Sequence, residues 1–208
     1  MELAFVDNLA YQLFVIGFAA LLIAYLMSYV YMQYRKRAKD ITGGLKAAAV
    51  PLAVLGGYML VSGIVDQFLW PLGITSPYNI LFMDPYVSFG IVLLAFAMAI
   101  RRGIQLQFVG LLALLIGVMA IWYGYNGYVL QLTQDPFELL MLFTLFGVAG
   151  IFSYPATIVM DRLPGYQKSV WGGWHALLVI CWLAFIFAGL GGMYAGATAV
   201  AGHLVSPP

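Results

Sequence analysis

Charged residues are scarce in this sequence, and cysteine and histidine are scarcer still. Only 8% of its 208 residues are Asp, Glu, Lys or Arg, whereas 64% are hydrophobic. A soluble domain carries about 25% charged residues, so this composition cannot form the polar surface that a soluble protein needs. The single cysteine, Cys181, excludes an intramolecular disulfide and any metal motif built on several cysteines. The two histidines, His175 and His203, lie near opposite ends of the last apolar segment, which argues against a haem held by both.

Catalytic motifs are missing as well. No serine or cysteine has a base placed for a nucleophilic triad, and no glycine-rich loop with its lysine is present to bind phosphate. We therefore expect no enzyme, no cofactor and no metal. His175, which follows two tryptophans, is a candidate quinone or proton site, although an interfacial histidine is the simpler interpretation.

The hydrophobic residues are gathered in six long segments. Their lengths are close to or above the roughly 20 residues that a helix needs to cross a bilayer. They predict helices at approximately 10–34, 45–70, 85–100, 104–128, 137–160 and 170–200. Residues 10–34 lack a preceding basic segment and cleavage site, so we expect a retained helix and not a signal peptide. The prediction is an all-α, polytopic transmembrane helix bundle that forms one membrane domain over residues 1–208.

The charged residues divide the connecting segments into two kinds. All nine Lys and Arg residues fall in the segments 35–46, 101–102 and 162–168. The remaining connections and the N-terminus carry acids and no bases, and the C-terminus carries neither Asp or Glu nor Lys or Arg. Basic connections stay in the cytoplasm during membrane insertion, so this pattern predicts a multi-pass protein of the cell membrane with both termini on the extracytoplasmic side.

The second and third helices resemble the fourth and fifth. Both units begin and end on the same side of the membrane, so they predict a parallel internal repeat. The matched positions are Gly57 with Gly117, Asp66 with Asn126, and the Asp-Pro pairs at 84–85 and 135–136. An Asp followed by Pro is typical of a helix start, because the carboxylate binds free amides and Pro fits the first helical position.

Asp66 is the most informative acid, because it falls within the last turns of the second helix. An ionisable group at such a depth is costly and usually faces a bundle interior or a water-filled cavity. Gln67, Asn126 and Tyr125 are its expected partners. A structural role and a functional role both remain open. The functional alternative is a cation site in an acidic outer vestibule, formed by Asp66, Asn126, Asp84, Asp135 and Glu138.

Small residues recur along the sixth helix at four-residue spacing. They are Ala184, Ala188, Gly192 and Gly196. A groove of small side chains lets a second helix approach closely. This packing groove predicts tight helix contact, either within the bundle or against another subunit.

Three stretches carry a resemblance to a known family. They are Gly56-Gly57-Tyr58, the segment Phe-Leu-Trp-Pro-Leu at 68–72, and the segment Ser-Pro-Tyr-Asn-Ile-Leu-Phe-Met-Asp-Pro-Tyr at 76–86. Together they resemble the signature region of an archaeal multi-spanning membrane family catalogued as domain of unknown function 981. The resemblance covers most of the chain. It implies a compact helical membrane protein from an archaeon, and it brings no established activity or site residue.

Three functions are compatible with these patterns. The first is a non-catalytic membrane subunit that packs within a larger assembly, possibly a respiratory or redox complex, or with copies of itself. The second is a cation channel or transporter with an acidic outer vestibule. The third is a quinone- or cofactor-binding membrane enzyme that uses His175 or Asp66. In each case the lipid bilayer surrounds the protein, and nothing points to a nucleic acid.

Overall fold

A computed structural model describes residues 8–35, 42–69, 71, 76–162 and 173–205. These residues form six α-helices and no strand: α1 (Asn8–Arg35), α2 (Thr42–Leu69), α3 (Tyr78–Arg102), α4 (Gln107–Val129), α5 (Pro136–Arg162) and α6 (Gly173–Val205). All six are long and apolar enough to cross a bilayer. The predicted all-α, multi-pass membrane fold is therefore confirmed.

The start of α3 differs from the prediction by about two turns. The helix begins at Tyr78, and Pro85 lies inside it. Residues 78–83 contain no helix breaker, and Pro77 precedes the first helical residue, so Pro77 and not Pro85 marks the start of the helix. The prediction that Asp84 caps α3 was wrong for the same reason.

The helices form a ring in chain order, and three pairs within it pack most closely: α1 with α6, α2 with α3, and α4 with α5. Glycines let the backbones of each pair approach one another. The closest such contacts join Gly17 with Gly189, Gly56 with Gly90, and Gly117 with Gly147. The α1–α2 and α3–α4 contacts are much smaller, and we call them the two seams.

The repeat of α2–α3 and α4–α5 stays a prediction, and the buried faces of its two leading helices match in a register one residue away from the expected one. The buried faces of the two leading helices have identical spacing. They consist of Ala49, Leu52, Gly56, Met59, Gly63 and Asp66 in α2, and of Gly110, Ala113, Gly117, Ala120, Gly124 and Gly127 in α4. Gly56 and not Gly57 therefore corresponds to Gly117. Gly127 and not Asn126 takes the place of Asp66.

The packing groove of α6 is filled by α1. Ala184 and Ala188 are buried. A Cβ atom added to Gly192 would lie 3.2 Å from the carbonyl oxygen of Leu13, and one added to Gly196 would lie 3.1 Å from that of Ala10. The groove thus serves a helix contact within this chain.

The two ends of the bundle carry opposite charge. The basic end holds Lys46, Arg101, Arg102 and Arg162, and the acidic end holds Asp66, Asp84, Asp135 and Glu138, because successive helices run in opposite directions. Among the described residues, the basic end also contains one acid, Asp161. Its two carboxylate oxygens accept hydrogen bonds from the backbone N–H groups of Leu106 (2.9 Å) and Gln107 (2.8 Å), so the last turn of α5 caps the start of α4.

Replacing Asp161 with Ala should lower the free energy of unfolding by about 1–2 kcal/mol, because two amides at the start of α4 lose their acceptor. Thermal or denaturant unfolding in detergent measures the loss. Asp135→Ala is the matched control, since Asp135 binds only one backbone amide, that of Glu138 at 3.0 Å, on the surface. Equal losses in the two variants would contradict the interhelical role of Asp161.

Candidate functional site

Asp66 lies on the buried face of α2, in the last turn before the helix ends at Leu69. Only 4% of its surface is exposed. Two side chains of α1 donate hydrogen bonds to its carboxylate. Gln12 Nε2 donates to Oδ2 at 2.5 Å, and Asn8 Nδ2 donates to Oδ1 at 3.3 Å. These bonds cross the α1–α2 seam. The partners expected from the sequence are not the ones that the structure provides.

No cation balances this carboxylate within the described part of the chain. Its hydrogen-bond donors are two neutral amides, and no Lys or Arg among the described residues forms an ion pair with it. A buried charge without a counter-ion is costly, and the cost falls when the group takes up a proton or a cation. The surroundings of Asp66 therefore favour binding of positive charge.

Aromatic and polar side chains complete the surroundings of Asp66. Tyr11 of α1 and Tyr58 of α2 meet edge to face across the same seam, with ring centroids 5.7 Å apart. Tyr86 of α3 packs its ring against Gly63, one turn from Asp66, and interacts electrostatically with the carboxylate. The buried Tyr86 hydroxyl lies beside Ser62 without forming a hydrogen bond of acceptable geometry.

Asp84 is the second carboxylate that links helices at the acidic end. It is half-buried in α3 and accepts hydrogen bonds from Gln67 Nε2 of α2 at 2.7 Å and from the Tyr123 hydroxyl of α4 at 2.8 Å. The second bond crosses the α3–α4 seam. Gln67 was expected to serve Asp66, whereas its side chain binds Asp84.

The other predicted site residues have separate partners. Asp135 caps α5 by accepting a hydrogen bond from the backbone N–H of Glu138, whose side chain is exposed. Asn126 donates to the carbonyl oxygen of Trp122 in its own helix at 2.8 Å. Across the described ranges, no group of three or more His, Cys, Asp and Glu side chains is placed to hold a metal ion.

The remaining candidates lie on α6. His175 falls in the first turn of α6, and its side chain lies outside the described residues. Cys181 is completely buried, and its sulfur lies 3.9 Å from the carbonyl oxygen of Ala149. This position fits the small buried side chain expected from the sequence.

The ring of helices encloses two adjoining cavities. The larger has about 80 Å³ of space for water-sized molecules and the smaller about 50 Å³. The walls of the larger are apolar except for Ser153 and Thr157, whose hydroxyls donate to carbonyl oxygens of their own helix at 2.8 Å. Gln12 and Tyr86 are the polar members of the smaller cavity. Sequence patterns gave no sign of these cavities, because their walls consist of ordinary core residues from several helices.

A family model described as a protein of unknown function, DUF981, matches residues 1–206 of the chain. The chain belongs to the DUF981 family. The match confirms the family resemblance seen in the sequence, and the archaeal source that it implied stays a prediction. No curated protein and no solved structure matches this DUF981 protein.

In this DUF981 protein the two interhelical carboxylates lie on either side of one helix pair. Asp66 holds the α2–α3 pair to α1, and Asp84 holds it to α4. Both bonds cross seams where apolar contact is small. Hydrogen bonds to two carboxylates therefore link the α2–α3 pair to its neighbours on both sides.

Proposed function

We propose that this DUF981 protein is a proton- or cation-coupled membrane transporter in which Asp66 is the ion-binding carboxylate. One observation carries the proposal: Asp66 is buried in a membrane-spanning helix, and among the described residues only neutral amides bind it. Ionisable residues inside membrane helices mark ion and proton pathways more often than they stabilise the fold.

Neutralising Asp66 changes its hydrogen bonds in a defined way. A protonated carboxyl group keeps one oxygen that accepts from Gln12 and turns the other into a donor. The second oxygen is then a weaker acceptor for Asn8. Proton uptake thus weakens the α1–α2 seam and permits the α2–α3 pair to move against α1, as one repeat rocks against another in many transporters.

The apolar interior favours a transporter over an open channel. The larger cavity lies between the helices, and the two hydroxyls in its walls, those of Ser153 and Thr157, are too few to replace the hydration shell of an ion. An ion therefore needs a conformational change to pass. The charge pattern supports a cytoplasmic basic end and an extracytoplasmic acidic end, and the proposal takes Asp66 to lie near the extracytoplasmic surface of the cell membrane.

An accessory subunit of a larger assembly is the competing proposal. Its main support in the sequence was the packing groove of α6, and that groove is occupied by α1. The groove therefore gives no argument for a partner subunit. Native mass spectrometry of the protein extracted gently from its own membrane is the direct test, and a stoichiometric set of partner proteins would favour the subunit over the transporter.

Asp66→Asn should abolish ion transport, with a fall of at least about tenfold, because asparagine resembles the neutral acid and cannot bind a proton or cation in exchange. The measurement uses purified protein in liposomes that contain a pH-sensitive dye, with an imposed proton gradient and with valinomycin to balance charge. Parallel assays replace the proton gradient with a sodium or potassium gradient and the corresponding dye.

Asp135→Asn is the matched control, because it removes the same charge at the same end of the bundle from an exposed helix cap. We expect it to transport like the wild type. Gel filtration and thermal unfolding verify that both variants remain folded. Wild-type flux in Asp66→Asn, or no flux of any of the three ions through the wild type, would overturn the proposal.

A further inference from the structure

Three buried side-chain atoms among the described residues lack a hydrogen-bond partner. One of them, Thr133 Oγ1, lies in the connection between α4 and α5, and the other two line the smaller cavity at the acidic end. Those two are Oε1 of Gln12, which is 3% exposed, and the hydroxyl of Tyr86, which is 5% exposed. More than about 90% of buried polar atoms in proteins are paired, so two unpaired atoms on facing helices call for an occupant that pairs with both. Both side chains line the smaller cavity.

The smaller cavity leads towards the larger one. Three residues belong to the walls of both cavities: Ile16, Phe89 and Phe146. The rings of Phe89 and Phe146 meet at a centroid distance of 5.7 Å, and these two side chains lie between the two spaces. Together the two cavities have polar groups in their walls at one end and mainly apolar walls elsewhere.

We propose that this interior binds an apolar molecule that carries a single hydroxyl head. The hydroxyl donates to Gln12 Oε1 and accepts from the Tyr86 O–H, which satisfies both unpaired atoms at once. A carbonyl head cannot donate to Gln12, and an ammonium head, which could donate to both atoms, would bring a charge into a cavity with mainly apolar walls. The apolar part of the molecule extends past Phe89 and Phe146 into the larger cavity, where it replaces contacts that an empty cavity lacks.

Water alone is the competing occupant. Each buried water makes about two to four hydrogen bonds and needs a cavity of about 10–15 Å³. The smaller cavity is large enough for water, and a water molecule would also pair with Gln12 Oε1 and the Tyr86 hydroxyl, so the larger cavity decides between the two occupants. Water leaves the apolar cavity empty, whereas an amphiphilic alcohol fills both cavities.

The inference does not rest on the transport proposal. Gln12 uses Nε2 for Asp66 and leaves Oε1 for the ligand, so the two interactions are separate. Asp66→Asn tests transport. Changes at Tyr86 and at Val92, a wall residue of the larger cavity, test ligand binding, so that either proposal can fail alone.

The experiment uses decanol with a diazirine on its last carbon as a photoreactive probe of the purified full-length protein in lipid nanodiscs. We expect saturable labelling of larger-cavity residues such as Met27, Phe96 and Met160, identified by mass spectrometry. Unlabelled 1-decanol should compete at least about tenfold better than decane, which lacks the hydroxyl. Equal competition by the two would overturn the assignment of a hydroxyl head and would favour water at the polar end.

Tyr86→Phe should weaken labelling about tenfold, because the hydroxyl head loses a donor. Val92→Phe should prevent labelling by filling the larger cavity. The matched controls are Tyr125→Phe and Val54→Phe, which change exposed side chains in the same way and should leave labelling unchanged. If Val92→Phe does not fold, Ala20→Val fills the same cavity with a smaller side chain.

Thermal unfolding without the probe separates a binding role of Tyr86 from a structural one. The Tyr86 hydroxyl forms no hydrogen bond of acceptable geometry with the described residues, so Tyr86→Phe should not lower the melting temperature. Unchanged labelling in both Tyr86→Phe and Val92→Phe would overturn the proposal. Labelling confined to lipid-facing residues would overturn it as well.

Discussion

Gly56→Val is expected to destabilise the helix bundle by about 3 kcal/mol, whereas Gly57→Val is expected to cost less than about 1 kcal/mol. A Cβ atom at position 56 would lie 2.8 Å from the backbone nitrogen of Leu94 and 3.0 Å from the carbonyl oxygen of Gly90. Backbone atoms of α3 cannot move aside without separating the two helices. A Cβ atom at position 57 meets nothing within 4 Å.

Unfolding of both variants in detergent, followed by circular dichroism, measures this difference. The two substitutions are the same, occur at adjacent positions of one helix and share one intrinsic helix propensity, so each controls for the other. Gly117→Val should behave like Gly56→Val, because its Cβ atom would lie 2.5 Å from the carbonyl oxygen of Gly147. A larger loss for Gly57→Val than for Gly56→Val would restore the register expected from the sequence.

Asp84→Ala is expected to lower the free energy of unfolding by about 2 kcal/mol. The change removes the shared acceptor of Gln67 and Tyr123, and interhelical hydrogen bonds in membrane proteins contribute about 0.6 kcal/mol on average and up to about 1.7 kcal/mol. The larger value applies here because the acceptor is charged and two donors lose it together. Unfolding in detergent provides the measurement.

A double-mutant cycle tests whether Asp84 acts through the α3–α4 seam. Tyr123→Phe removes only the hydroxyl and should cost about 1 kcal/mol. The double variant Asp84→Ala with Tyr123→Phe should then be more stable than the sum of the two single losses implies, because both changes break one bond. Additive losses would show that the hydroxyl and the carboxylate stabilise the protein independently.

The candidate site could be predicted only in part. The depth of Asp66 in an apolar helix was visible in the sequence, because one acid among apolar residues stands out whatever surrounds it. Its partners were not visible, since Gln12 lies 54 residues away in the chain and is an ordinary polar residue of the first helix. Asp84 was taken for a helix cap because Pro85 follows it. A helix start at Pro77 fits the same local rules equally well.

Hydropathy and charge by themselves determined the number of helices, their approximate limits, and the division of acids and bases between the two ends. These properties depend on local composition, because a segment either is or is not apolar enough to cross a bilayer. The tertiary structure alone decided which face of each helix is buried. Lipid is as apolar as a protein core, so a membrane helix has no polar outer face to reveal its orientation, and Gly56 and Gly57 are indistinguishable in the sequence. Close backbone contact at Gly56, the amide bonds to Asp66 and the unpaired atoms of Gln12 and Tyr86 exist only once the six helices have packed.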